Sequence, residues 1–461
     1  MFKNLSLKIT DPAIFATIEW EFARENDGME LIASENYTSP AVQEALGSVF
    51  VNKYAEGFPG KRYYGGQEFT DEMETIAIER AKRIFHADHA NVQALSGAAA
   101  NVCIYNALLE PGDTVLGMDL SHGGHLTHGS PVTLMSKVYN FVRYKTSPTN
   151  NNFMDYNNLR AMALEHKPKL IIAGYSAHPR ELDYEKFVAI GKEVGAIMMA
   201  DVSHFGGLIA AGVMKNPLDY GFHVMMTTTH KTLRGPRGAL ILSKGIVSNP
   251  LKAPEKTIEN IPTLIDRSVF PGVQGGPHMN QVAAIAVALH EADTDEFREY
   301  GARVLKNNHA LAETLVSRGY KLVTGGTDNN IIVIDFSGTE MDGKKSELTL
   351  DAIGISTSKS TIPDDPNPPF RPSGLRLGLP AMTTRGIREA DAEQIGDFID
   401  RALKNADNEE VLKKIAIYQN TIIGESANGL FQFDMQGKLL KSLHSIFGFS
   451  SKRIIDFTIH Q

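Results

Sequence analysis

The sequence predicts an α/β protein: a large, mostly parallel sheet domain followed by a smaller C-terminal α/β unit. Three observations predict it. Between roughly residues 90 and 245, short β-branched or apolar runs alternate with helical segments. Most of these runs end in small, polar or charged residues, as in DLSHGGH, GYSAHPR, DVSHFGG and TTTHK. A long helical stretch then leads into a second run of strand and helix patterns.

Taken in order, Thr10 to Arg24 reads as an amphipathic helix, opened by Thr10-Asp11-Pro12 as N-cap and first-turn proline. LIASENYTSP and KYAEGFPGKRYYGGQ follow as loop, and DEMETIAIERAKRIF has helical spacing. Candidate strands are Asp113–Met118, Lys169–Ala173, Ala196–Ala200, His223–Thr227 and Ala239–Leu242. Ligands of such sheets bind at the carboxyl ends of the strands, where the polar residues gather here. Helices Asn280–Glu291 and Glu296–Arg318 precede a unit that includes SGLRLGLP and the helix EADAEQIGDFIDRALKN. The expected division is 1–70, an N-terminal helix and loop arm; 71–280, the large domain; 281–405, a linking helix and the small domain; and 406–461, a helix and a tail to which no role attaches.

The chain has 461 residues, 42% hydrophobic and 22% charged, an ordinary globular composition with ample material for a core. A net charge of −8 argues against a nucleic-acid partner. The single cysteine, Cys103, excludes an intramolecular disulfide and reads as a small buried hydrophobe rather than a reactive thiol. No apolar run reaches eighteen residues and the N-terminus carries no apolar signal region, so a cytoplasmic enzyme without a membrane partner is expected.

Asp201, directly after a buried-strand pattern, is either a helix N-cap or the partner of a cationic ligand group. His204 follows three residues later and reads as structural or catalytic. Lys231 stands thirty residues beyond Asp201 at the end of a later strand. Alone it would read as a solvated surface lysine. With Asp201 it matches the needs of a pyridoxal phosphate enzyme: a Schiff-base lysine, and an acid paired with the pyridinium nitrogen. SGAAAN, Ser96 to Asn101, leaves backbone N–H groups free at a helix start to cradle a phosphate. The histidines of SHGGHLTHG fit a metal site or stacking of His125 on a cofactor ring, and no other metal-type ligand clusters beside them. Arg376, on an apolar strand, needs an anionic partner, either a substrate carboxylate held by both arms of its fork or a structural ion pair.

Together these residues resemble the serine hydroxymethyltransferase family of pyridoxal phosphate enzymes, collinearly from about residue 10 to 405. The resemblance rests on LIASEN, NKYAEGFPGKRYYGG, MDLSHGGHLTHGSP, TTTHKTLRGPRGALIL, FPGVQGGP and SGLRLG. It implies fold type I with a seven-stranded sheet, pyridoxal 5'-phosphate as cofactor, tetrahydrofolate as cosubstrate, and a homodimer or tetramer with shared active sites. Position by position, it implies that Lys231 is the Schiff-base lysine, that Asp201 pairs with the ring nitrogen and that His125 stacks on the ring. His204 would contact the cofactor's phenolic oxygen or the substrate carboxylate. Ser96, Gly97, Ala98 and His230 would surround the phosphate, with Ser176 and Ser203 also at the cofactor. Tyr54, Gly275 and Gly276 match groups supplied by a neighbouring subunit. Ser34, Tyr64, Arg237 and Arg376 fall on substrate positions, and Glu56 on the acid–base carboxylate with Tyr63 beside it. Leu120, Gly124, Leu126 and Ser360 lie on the folate side.

The chain departs from the family pattern at Ser203, usually alanine; at Ala98 and Ala99; at His178 and Leu379; and at Ser360, where the family commonly has a pterin-contacting asparagine. The function implied is reversible conversion of L-serine and tetrahydrofolate to glycine and 5,10-methylenetetrahydrofolate. The alternative is a folate-independent aldolase or transaldolase, or an α-methylserine hydroxymethyltransferase-like enzyme, acting on β-hydroxy amino acids. A catalytically silent binding protein is a third reading, opposed by the retention of Lys231, Asp201, His125 and Arg376.

Overall fold

The computed structural model describes residues 6–247, 257–416, 431–433 and 439–442. A seven-stranded sheet forms its centre: β1 His89–Ala94, β2 Thr114–Met118, β3 Asn140–Tyr144, β4 Leu170–Gly174, β5 Ile197–Asp201, β6 Val224–Thr228 and β7 Ala239–Ser243. The spatial order is β1-β7-β6-β5-β4-β2-β3. β7 runs antiparallel to both its neighbours and the remaining pairs are parallel. Six strands therefore point their carboxyl ends to one edge, where the chain emerges after Ala94, Met118, Tyr144, Gly174, Asp201 and Thr228. The five strands expected from the sequence are all present. The last of them, β7, is the antiparallel member.

β1 and β3 escaped the sequence reading for identifiable reasons. β1, HANVQA, turns His89, Asn91 and Gln93 toward charged partners rather than a hydrocarbon core. His89 and Asn91 both bind Asp266, at 3.0 and 2.8 Å, and Gln93 donates to Glu74 at 2.7 Å. β3 is an edge strand with only Tyr144 fully buried, so its apolar signal is diluted.

Two cores flank the seven-stranded sheet, one around Ile171, Met198, Phe205 and Leu240, the other around Ile104, Leu170, Met199 and Ile241. A third core lies in the small unit, whose strands β8 Ile332–Asp335, β9 Ser358–Ser360 and β10 Gly374–Leu377 form an antiparallel sheet ordered β8-β10-β9.

Several helices place the site. α1 (Pro12–Asp27) opens with the expected cap, the Asp11 carboxylate accepting from the Ile14 amide at 3.1 Å, and runs three residues past Arg24. None of its residues is fully buried. α2 (Glu68–Ile84) and α3 (Gly97–Leu108) follow, α3 burying Cys103, whose thiol burial pushes up to about 12. α4 (Met279–Ala292) leads into α5 (Asp295–Ser317), which packs Phe297, Tyr300 and Val304 into the large core and Leu311 and Leu315 into the small one. One rigid helix thus ties the two bodies together. Residues Met29–Glu30 pair in parallel with Ile355–Ser356, so the chain passes under the small unit before reaching the sheet.

Beyond α6 (Glu389–Lys404), residues 409–416 are helical, and Phe431–Phe433 pairs antiparallel with Leu439–Ser442. The remainder of the C-terminal tail lies outside the described residues.

Candidate active site

Asp201 ends β5 between Gly174 of β4 and Met226 of β6, at the middle of the carboxyl edge. Its carboxylate is buried and takes four hydrogen bonds. His128 Nε2 and Asn101 Nδ2 donate to Oδ2, each at 3.0 Å. The amide and hydroxyl of Ser203 donate to Oδ1, at 3.1 and 2.6 Å. Burial alone would raise its pKa, but the hydrogen bond from His128, helped by that of Ser203, holds it well below the usual carboxylate range. Asp201 therefore stays anionic at any physiological pH.

Around it stand cations without anions. Lys231 follows β6, and burial lowers its ammonium to about 8, Asp201 opposing the shift and Arg376 and Arg237 adding to it. Arg376, on β10, is brought low, to about 10, by burial. Among the described residues its guanidinium donates only to the Ser358 hydroxyl, at 3.2 Å, and the Ser176 carbonyl, at 2.8 Å. Among the described residues none of Lys231, Arg237 and Arg376 has an ion pair. His204 and His230 each keep a buried Nδ1 with no hydrogen-bond partner among the described residues, and burial holds both imidazoles neutral, His230 down to about 3. His125 is likewise pushed down to about 4 by burial, its Nδ1 2.7 Å from the Thr127 hydroxyl.

The N-terminus of α3 abuts the end of β6 and Ser203. Ser96 caps it, accepting from the Ala99 amide at 3.3 Å, while Gly97 and Ala98 form the first turn. A Cβ on Gly97 would come 2.7 Å from Thr228 Cγ2, so only glycine lets this helix start approach the end of β6. The structure thus brings Ser96, Gly97, His125, Ser176, Asp201, Ser203, His204, His230, Lys231, Arg237 and Arg376 to one edge.

A second group forms around Tyr54. Tyr54 donates its hydroxyl to Glu56 Oε1 at 3.0 Å and packs edge-on against Tyr64, ring centres 5.0 Å apart. A Cβ on Gly276 would lie 3.1 Å from the Tyr54 ring, and one on Gly275 3.5 Å from Glu56 Oε1. Tyr63 lies edge-on to Phe270. The short hairpin carrying these residues is fixed by Arg62, which donates to the Ala55 and Gly57 carbonyls and pairs with Asp71 and the buried Glu74. Tyr54, Tyr63 and Tyr64 are each at least half exposed, and among the described residues no hydrogen bond or ion pair joins this group to Lys231.

Ser34 lies in the turn after residues 29–33, which the small unit holds through Ser356, Asn330 and Gly378. Leu120 and Leu126 begin two single 3₁₀ turns and are more than a third exposed. Gly124 between them has no room for a side chain against the Met118 carbonyl. Ser360 ends β9, its hydroxyl bonded to the Thr361 carbonyl. The histidines of SHGGHLTHG part company: His122 faces Thr146 and Asp364, His125 faces Thr127, and His128 faces Asp201. Among the described residues no three metal-type ligands gather.

Sequence reasoning missed Asn101, His128 and Asn36. Asn101 is a buried asparagine on an apolar helix, and such a residue must have a partner. That was its one signal. Asn36 donates to the Lys231 carbonyl at 3.0 Å and to Tyr300, and accepts from Thr384 of the small unit. Nothing local announces a bond across so much sequence.

The family model described as serine hydroxymethyltransferase matches residues 7–399. The chain belongs to the serine hydroxymethyltransferase family. A relative named serine hydroxymethyltransferase, from Desulfotalea psychrophila, is 49% identical over 411 residues, covering 89% of this chain and 93% of the relative. Members of this family share the pyridoxal phosphate fold type I, and the seven-stranded sheet of this chain is the one expected of it. The family match stops at residue 399, so the tail is outside it.

Proposed function

We propose that the chain interconverts L-serine and glycine, passing the hydroxymethyl carbon to and from tetrahydrofolate, with pyridoxal 5'-phosphate as cofactor. Family membership over nearly the whole chain supports this reading, and so does the chemistry of the donors. The observation that carries it is the charge imbalance. Among the described residues, three cations without ion pairs and two histidines with an unpartnered ring nitrogen gather around one carboxylate, which suits a ligand bringing a phosphate, a carboxylate and a protonated ring nitrogen.

When bound, pyridoxal phosphate supplies an electron sink for the pair released at Cα. The protein's residues do the rest. Lys231, with its ammonium near 8, presents a partly neutral amine to the cofactor aldehyde. Asp201 holds a proton on the ring nitrogen by staying anionic. His125, neutral and flat, is the stacking surface, and His204 stands as a neutral donor near Lys231 and Arg376. Ser96, Gly97, Ala98 and His230 hold the phosphate, with Ser176 and Ser203 completing the cofactor side.

Arg376, with Ser34, Tyr64 and Arg237, would hold the amino-acid carboxylate and so set the orientation of the substrate for cleavage at Cα. Glu56 exchanges the proton of the substrate hydroxyl, with Tyr63 beside it. Leu120, Gly124, Leu126 and Ser360 face the pterin. Because Tyr54, Glu56, Gly275 and Gly276 sit together with Tyr54 exposed and, among the described residues, no hydrogen bond or ion pair to Lys231, we assign them to the site of a neighbouring copy, which makes the working unit a homodimer or a tetramer of such pairs. We place the enzyme in the cytoplasm, and among the described residues no helix is long and apolar enough to cross a membrane.

Glycine release from L-serine by the cofactor-loaded protein, with and without tetrahydrofolate, tests the reading. Release that depends on folate is expected. Cleavage of L-threonine or α-methylserine with no response to folate would replace it by a folate-independent aldolase.

A further inference from the structure

A carboxylate offers about four lone-pair sites, and all four of Asp201 are taken: two by His128 and Asn101 on Oδ2, two by Ser203 on Oδ1. A cofactor ring nitrogen would be a fifth donor. Three of the four present donors cannot yield. The Ser203 amide is fixed in the backbone. Asn101 is wholly buried, its amide held also by the Thr127 hydroxyl at 2.7 Å. His128 is almost wholly buried, its Nδ1 accepting from the His125 amide at 3.2 Å.

The Ser203 hydroxyl differs. It turns on a single bond, and it has a second acceptor within reach, the Met226 thioether, 3.3 Å from Oγ. A thioether is a weak acceptor, good enough to keep a displaced hydroxyl from being left unpaired and too weak to draw it from a carboxylate.

We propose that Ser203 is a placeholder for the cofactor's ring nitrogen: its hydroxyl caps Asp201 Oδ1 while the site is empty and swings to Met226 Sδ when a pyridinium N–H takes that oxygen. This rests on the assignment of Asp201 to the ring nitrogen under the proposed function. Ser203 is thus a positioning residue, acting through Asp201. It stabilises the cofactor-free protein, whose buried anion would otherwise lose a donor, and it makes docking an exchange of one donor for another. The cost of the exchange is weaker retention of the cofactor; the gain is an empty enzyme that keeps its site ordered.

The experiment compares Ser203→Ala with the unaltered protein, measuring dissociation constants for pyridoxal phosphate and for 1-deaza-pyridoxal phosphate, in which a C–H replaces the ring nitrogen. The melting midpoint of the apoprotein is followed alongside. Removal of one competing hydrogen bond should tighten pyridoxal phosphate on the order of five-fold. The same change should weaken the deaza analogue, which gives Oδ1 nothing in return, and should lower the apoprotein midpoint. Ser203→Cys, with a weaker donor of similar size, should fall between, and it serves if the alanine variant does not fold.

Equal loosening of both ligands would make Ser203 merely structural and overturn the proposal, as would no change in either. If the unaltered protein binds the two ligands equally, Asp201 does not meet the ring nitrogen, and the assignment falls together with the proposal.

Discussion

Lys231 shows how one residue's chemistry is set by its surroundings. A solvated lysine keeps its proton far above neutrality and is a poor nucleophile. Burial, with Arg376 and Arg237 adding to it, brings this ammonium down to about 8 in spite of Asp201. The reactive form is the neutral amine, so its fraction grows as pH rises toward about 8 and levels above it. Capture of pyridoxal phosphate by the apoprotein, followed by absorbance, should therefore accelerate through pH 7 and flatten past about 8. A rate still climbing steeply at pH 10 would mean that the lysine titrates as an exposed one. Lys231 and Asp201 were legible in the sequence because strand-end position and residue type suffice to suggest a Schiff-base pair. Asn101 and His128, which hold Asp201 in place, were not: one hides in an apolar helix and the other among three similar histidines.

Among the elements, β4 and β5 fix the height at which Asp201 stands. Gly174 closes β4 with φ +135°, and a Cβ there would collide with the Asp201 carbonyl. Gly174→Ala should cost about 2 kcal/mol or more in stability, from the left-handed backbone and the clash together. It should also weaken cofactor binding by displacing Asp201, whereas a stability loss with unchanged cofactor affinity would show that the strand relaxes without moving the carboxylate. Denaturant unfolding of the apoprotein and cofactor titration give the two numbers. Strands β2, β4, β5, β6 and β7 were readable from apolar runs with polar ends. β1 was not, since its inner face is satisfied by Asp266 and Glu74, and that requirement is met only by segments remote in sequence.

At the scale of the whole molecule, apolar surface stands uncovered among the described residues. Ile14, Ile18 and Trp20 of α1, with Val49, Val51 and Phe69, are 47–79% exposed. Patches of this kind mark protein contacts, and they belong to the same N-terminal arm as Tyr54 and Glu56. The proposed dimer would bury them. Light scattering should give at least twice the chain mass, and Trp20→Asp should shift the population toward monomer and lower glycine formation in parallel. Trp20 is the only tryptophan, so its emission should move to longer wavelength on dilution. A monomeric mass with full activity would refute shared sites.

Residue type and spacing were enough to place the fold class, the strand ends, a lysine and an aspartate beside them, and an arginine in want of an anion, because periodicity and local chemistry are written along the chain. Only the folded chain decided which donors saturate Asp201, that Asn36 ties the Lys231 backbone to the small unit, and that Glu56 gathers with Tyr54 and Tyr64. Those facts depend on contacts between segments separated by up to several hundred residues, and no local pattern encodes the meeting of two distant side chains.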